Sequence, residues 1–239
     1  MSKKMEWRGA CSLIIWMSVG ALCIGILLGY STWRSDVKLT TYAQNIIREK
    51  SEGNRLMWKG TLPEVVYDKT VVFDIRHSEA DEKIMLALAE QINDAFMDTD
   101  VMVYFVNDAT RSHEDILTLL EKTETDLFIA LSVGADKKNA ETFGTKCFYN
   151  DVFFIPGYGN VQLADELLYR VVEKISGKAI GIYPSEDKSI LREITIPAAE
   201  IVVGYQTNEA EGNLLLKEGY REQIADGIKS AVEAYYAGE

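Results

Sequence analysis

Hydrophobic and polar positions divide the 239-residue chain into two parts of different character. Between Arg8 and Arg34 no residue is charged, and residues 9–33 include the apolar run SLIIWMSVGALCIGILLGY. A helix that crosses a bilayer needs about 20 apolar residues, so this length predicts one transmembrane helix. Tyr30 and Trp33 lie at the end of the run, where interfacial aromatic side chains are common.

The residues around this segment predict its orientation. Lys3, Lys4 and Arg8 precede it, which favours a cytoplasmic N-terminus at 1–8 and an extracytoplasmic remainder. The following residues, 34–69, are mostly polar and predict a stalk, and residues 70–239 predict a folded domain. A cleaved signal peptide is the alternative, but it has a shorter apolar core and a small-x-small cleavage site. We therefore expect a single-pass protein of the cell membrane.

From residue 70 onward, short apolar runs rich in β-branched residues alternate with segments that have apolar residues at helical spacing. The predicted strands are 70–75, 101–106, 126–131, 144–150 and 200–205, and the predicted helices are 81–96, 113–122, 161–176 and two within 209–236. Strands and helices that alternate with short links are typical of an α/β domain, with a mostly parallel central sheet flanked by helices.

The charge and the cysteine and histidine content of the chain argue against several classes of partner and site. The formal net charge is −12, and no basic stripe is present, which argues against nucleic acid as a partner. Cys11 and Cys23 fall in the apolar segment, so Cys147 is alone in the predicted domain and no internal disulfide framework forms there. His77 and His113 are the only histidines, which excludes a metal site made of three histidines.

Four segments carry motifs in a fixed order: VVFDIRHSEAD at 71–81, TDLFIALSVGAD at 125–136, GTKCFYND at 144–151 and IPAAEIVVGYQTNEAEGNLLL at 196–216. In order and spacing they resemble the zinc-dependent N-acetylmuramoyl-L-alanine amidases of the type 3 family. These enzymes cut the amide bond between the glycan and the stem peptide of peptidoglycan. The N-terminal apolar segment also resembles the membrane-bound, sporulation-associated members of that family.

The resemblance implies positions for a zinc site. In the family the ligands are a His, a Glu and a second His, and a further Glu moves the proton. His77 matches the first ligand, and Glu82 matches the second, with Glu79 and Asp81 as neighbouring competitors. Ser132 stands at the position of the second histidine.

Val202 stands at the position of the catalytic glutamate, and Glu200 is a candidate two residues before it on the same strand face. Asp136 is a candidate third ligand in the loop after the third predicted strand. His113, before the second predicted helix, is expected to be an exposed or capping residue.

These substitutions predict a catalytically inactive amidase-like domain. A serine hydroxyl is a poor zinc ligand, and a valine cannot carry a proton. We expect a membrane-anchored protein that binds peptidoglycan or an envelope protein and needs no cofactor. One alternative is a divergent active amidase, for which zinc would be the cofactor, held by His77, Glu82 and a third ligand such as Asp136. Another is a structural or assembly protein of the envelope.

Overall fold

The computed structural model describes residues 69–97, 99–106, 112–153, 155 and 159–238. All of them belong to one compact unit, Asn45–Glu239. Within these ranges, no helix combines the length and the apolar character needed to cross a membrane. The predicted span at 9–33 and nearly all of the predicted stalk lie outside the described residues, so both stay predictions.

The described part of the domain is built around one six-stranded sheet in the order β2-β1-β3-β6-β4-β5. Strands β1, β2, β3 and β6 run parallel to one another, β4 is antiparallel to β6, and β5 is parallel to β4. The strands are β1 (Lys69–Ile75), β2 (Val101–Val106), β3 (Leu127–Gly134), β4 (Thr145–Tyr149), β5 (Ala179–Pro184) and β6 (Ala198–Tyr205).

The α/β class is confirmed, but the sheet is mixed, with two of its strands reversed. A parallel return needs a crossover of a dozen or more residues, usually a helix. The link between β3 and β4, residues 135–144, contains no helix, so the chain comes back in the opposite direction.

Five helices and one 3₁₀ turn accompany the sheet in the described part of the chain. They are α1 (Glu82–Phe96), α2 (His113–Lys122), α3 (Asn160–Ile175), α4 (Glu209–Leu215) and α5 (Glu218–Gly238), with a 3₁₀ turn at Ile190–Glu193. Helix α5 packs against α1 and α3. Both alternating sets of side chains in the central strands β1 and β3 are largely buried, so both faces of the sheet are covered there.

The end of β6 is fixed by a buried carboxylate. Glu211 of α4 accepts hydrogen bonds from the backbone amides of Tyr205 (2.6 Å) and Gly144 (3.0 Å). Gly204 has φ of +157°, and a Cβ there would lie 3.0 Å from the Glu211 carboxyl carbon. A side chain at position 204 would therefore disturb the contact that joins the end of β6 to the start of β4.

Candidate functional site

Two rows of side chains on one face of the sheet form the candidate site. The register aligns Asp74 of β1, Ala130 of β3, Glu200 of β6 and Phe148 of β4, and laterally paired residues point to the same face. Side chains two residues apart on a strand share that face. Asp74 and Glu200 therefore flank the small side chain of Ala130.

The next row contains Ser132 and Val202, the positions that the family resemblance assigns to a zinc ligand and to the catalytic glutamate. Ser132 of β3 pairs with Val202 of β6, and Val202 pairs with Lys146 of β4. The Lys146 ammonium lies 4.8 Å from the ring centroid of Phe148 and 5.8 Å from that of Tyr205. Lys146 forms no ion pair with any described residue. A cation held over aromatic rings thus lies on the strand next to Val202.

Arg76 joins the two carboxylates across β3. Its Nε donates to Asp74 Oδ2 at 2.8 Å, and its Nη1 donates to Glu200 Oε2 at 2.5 Å. Ser132 Oγ donates to the other oxygen of Glu200 at 3.3 Å. The side chains of Asp74, Glu200 and Arg76 are only 11%, 17% and 31% exposed. Because Ala130 is small, the guanidinium has room to pass from β1 to β6.

The electrostatics of this cluster keep the guanidinium charged. Burial acts to lower the pKa of Arg76, but the neighbouring Glu200 and Asp74 carboxylates outweigh it, and the pKa is raised above its usual value. A permanent positive charge therefore lies between two carboxylates, at the carboxyl end of β1. We call Asp74, Arg76, Ser132 and Glu200 the arginine cluster.

His77 and Glu82, the two matched ligand positions, lie on either side of a tight turn. His77 is half-buried and is the second residue after β1, and Glu82 is the first residue of α1. Between them, Asp81 accepts hydrogen bonds from the Ser78 amide, at 2.6 Å, and from the Ser78 hydroxyl. The buried Asp81 thus fixes the turn, whereas Glu79 is exposed.

His113 and Asp136 have partners of their own. His113 Nδ1 is paired with Glu193 Oε1, and both side chains are largely exposed. Asp136 accepts hydrogen bonds from the Thr142 hydroxyl (2.8 Å) and from the amides of Lys138 and Asn139. These bonds lower the pKa of Asp136, that from Thr142 contributing most. His113 therefore ties α2 to the 3₁₀ turn, and Asp136 fixes its own loop.

The residues at this site do not fit a zinc ion. Catalytic zinc takes three His, Cys, Asp or Glu ligands and leaves one position open. Ser132 and Val202 offer no such ligand, and the described residues contain no group of three His, Cys, Asp or Glu that could hold a metal. Glu200, the carboxylate closest in register, is already paired with the Arg76 guanidinium.

A cavity of about 260 Å³ extends from the arginine cluster along the same face. It is lined by Arg76 and Lys188, by Glu186 and Glu200, by Ser185 and Ser189, and by Phe148. The residues from 185 to 189 follow β5, and the Ser185 amide donates to Tyr149 O at 2.9 Å. Since Tyr149 pairs with Ala199, the cavity extends from Glu200 away from Val202.

Sequence reasoning placed Glu200 at the site but gave no role to Arg76, Lys146 or the residues after β5. Arg76 directly follows β1 and is two residues after Asp74, a spacing that places both side chains on one face of extended chain. Their contact with Glu200 requires the strand order, because β3 separates β1 from β6.

Comparisons with known proteins agree with the fold. Residues 74–234, about two thirds of the chain, match the model of the family described as N-acetylmuramoyl-L-alanine amidase. A curated relative, the uncharacterized protein YqiI of Bacillus subtilis (strain 168), is 24% identical over 189 residues, which cover 72% of this chain and 87% of the relative.

Two solved structures show the same fold. An N-acetylmuramoyl-L-alanine amidase from Clostridium difficile 630 has a TM-score of 0.63 and 22% identity, covering 72% of this chain and 99% of its own. The CwlD amidase from Clostridioides difficile, in complex with the GerS lipoprotein, has a TM-score of 0.61 and 18% identity, covering 72% of this chain and 100% of its own.

Proposed function

Because the chain belongs to the N-acetylmuramoyl-L-alanine amidase family, we propose that its domain binds peptidoglycan without cutting it. The observation that carries this proposal is the arginine cluster. A guanidinium paired with Asp74 and Glu200 lies beside Ser132 and Val202, where the family resemblance implies zinc and a proton carrier. Arg76 is the cation that pairs with both carboxylates and offsets one of their two negative charges.

The remaining groups on this face suit binding better than hydrolysis. Lys146 presents an ammonium on the strand next to Val202, and Phe148 adds an aromatic surface. An ammonium attracts carboxylates, which peptide stems carry, but a protonated lysine cannot serve as the base that activates water. We further propose that residues 9–33 anchor the chain in the cell membrane and hold the domain on its outer side.

The test uses the purified full chain in detergent with peptidoglycan sacculi, in the presence of zinc. We expect the chain to sediment with the sacculi, while mass spectrometry of the supernatant detects no released stem peptides. Lys146→Met should weaken sedimentation, and Lys174→Met, on an exposed position of α3, should leave it unchanged.

Zinc-dependent peptide release that disappears in His77→Ala would establish the active alternative. Absence of sedimentation would reject wall binding.

A second candidate function is binding of an envelope protein. Its support is the CwlD structure, which shares this fold and contains the GerS lipoprotein. A photo-crosslinking residue at position 146 of the full chain distinguishes the two candidates in cells. A single protein adduct in a chain that does not sediment with sacculi would favour the protein partner, whereas adducts to glycan-linked peptides would favour the wall.

A further inference from the structure

The cavity beside the arginine cluster is separate from the positions that the family resemblance assigns to catalysis. Neither Ser132 nor Val202 lines it. It begins at Arg76 and Glu200 and extends toward residues 185–189, which follow β5. The cavity is therefore a second feature of this face, joined to the first by the guanidinium.

The walls of the cavity carry both signs of charge in equal number. Arg76 and Lys188 are cations, and Glu186 and Glu200 are carboxylates. Arg76 and Glu200 are already paired with each other, so the exposed Lys188 and Glu186 are the charges left for a ligand. A ligand that carries a carboxylate and an ammonium matches Lys188 and Glu186.

Two polar groups of the cavity, the Arg76 guanidinium and the Ser185 hydroxyl, can form further hydrogen bonds. Arg76 uses Nε and Nη1 for Asp74 and Glu200, while its Nη2 makes no hydrogen bond with a described residue. Ser185 is only 6% exposed, and its hydroxyl finds no partner in the described part of the chain. A buried hydroxyl without a partner is costly, so a ligand that bonds to it would gain affinity.

The size of the cavity limits the ligand further. At about 260 Å³ it is smaller than the sites of about 300–1,000 Å³ that hold drug-sized molecules. It suits one amino-acid unit better than a disaccharide. We propose that this cavity binds the free α-amino-acid centre, with ammonium and carboxylate on one carbon, that ends a diamino-acid side chain of a wall peptide. This assignment rests on the proposed wall binding and deepens it.

The probe is a tripeptide of alanine, glutamate and diaminopimelic acid, acetylated at its N-terminus, titrated calorimetrically into the full chain in detergent. Three relatives remove one charge each: the distal amine acetylated, the distal carboxylate amidated, and lysine in place of diaminopimelic acid. We expect each change to weaken binding at least about tenfold, since each removes a charge-assisted pairing.

Variants of the chain assign each charge to its partner. Lys188→Met should weaken binding of the parent tripeptide but have little effect on the tripeptide whose distal carboxylate is amidated. Glu186→Gln should weaken binding of the parent but have little effect on the tripeptide whose distal amine is acetylated. Ser185→Ala should weaken binding without lowering the melting temperature of the free chain. Lys174→Met and Glu173→Gln, on exposed positions of α3 outside the cavity, are the matched controls.

Equal affinity for all four tripeptides, no measurable binding of the parent, or equal binding by the cavity and control variants would each overturn this assignment. These results are distinguishable from failure of the proposed function. Sedimentation with sacculi would persist if only the cavity assignment failed, and it would be lost if the domain did not bind peptidoglycan.

Discussion

At the scale of single residues, the identity of position 76 decides what the site contains. The first segment of this chain resembles the family motif Asp-Pro-Gly-His-Gly-Gly, in which Asp74 and His77 match and Arg76 stands at the position of a glycine. A glycine could not reach the carboxylates of Asp74 and Glu200. Arg76 reaches both, over Ala130, and its fixed fork of donors suits two acceptors on different strands. An arginine at position 76 therefore adds a positive charge to this face of the sheet and pairs it with two carboxylates.

Replacing Arg76 should destabilise the domain. Arg76→Met leaves the largely buried carboxylates of Asp74 and Glu200 without their cation. We therefore expect the free energy of unfolding to fall by about 2–4 kcal/mol. Urea denaturation of the full chain in detergent measures this. Adding Glu200→Gln should recover part of the loss, because one of the two charges left without a cation is removed.

The matched control is Arg170→Met, because Arg170 pairs at 3.0 Å with Glu166, four residues before it on α3. Helical pairs at this spacing contribute about 0.3–0.5 kcal/mol. A similar small effect for both arginines would show that the arginine cluster is not a buried, coupled unit.

At the scale of elements, most of the sheet was predictable because its strands are buried on both faces. The run at 101–106 is continuously apolar, the run at 70–75 is apolar except for Thr70 and Asp74, and the structure has strands at both places. Strand β5 was missed because it lies at the edge of the sheet, where its side chains are half-buried or exposed. Gly181 and Pro184 weaken its strand signal further.

The hydrophobic pattern of the sequence could not predict the direction of β4 or the contacts of the arginine cluster. A periodic pattern gives the faces of a strand, but not its neighbours or its direction. Glu200 was identified from the motif as a residue near the catalytic position, yet its partner Arg76 lies 124 residues away in the chain. Only the order β1-β3-β6 brings the two side chains together.

One side chain joins three elements next to the site, and its loss should be measurable. The buried Asn160 of α3 donates to Asn150 O (3.1 Å) and Phe153 O (3.2 Å), and accepts from the Ala198 amide of β6 (2.8 Å). Asn160→Ala leaves these backbone groups without a partner, so we expect a loss of about 2–4 kcal/mol in the free energy of unfolding.

Thermal or urea unfolding compares this variant with Asn213→Ala, at an exposed position of α4, which should change stability by no more than about 0.5 kcal/mol. If the two variants unfolded alike, the hydrogen bonds of Asn160 would not be what holds α3 to β6.

At the scale of the whole molecule, the proposed tether at residues 9–33 would hold a domain in which Ser132 and Val202 stand at the positions that the family resemblance gives to a zinc ligand and a proton carrier. An anchor at residues 9–33 would hold an acidic domain near the wall and would confine its diffusion to the plane of the membrane. The formal charge of −12 disfavours non-specific attachment to anionic polymers, so specific contacts must supply the binding.

The tether is tested by deletion of residues 9–33. We expect the deleted chain to move from the membrane fraction to the soluble fraction after a carbonate wash, because about 20 apolar residues are needed to span the bilayer. A chain in which an unrelated apolar span replaces these residues should stay with the membrane. Retention of the deleted chain in the membrane fraction would contradict the anchor.

Zinc titration of the full chain and of His77→Ala tests most directly whether the site beside Arg76 lacks a metal. We expect no saturable zinc binding at micromolar concentrations and indistinguishable titrations for the two proteins, because Ser132 and Val202 provide no ligands and Glu200 is paired with Arg76. One equivalent of tightly bound zinc in the unaltered chain, lost in His77→Ala, would contradict it.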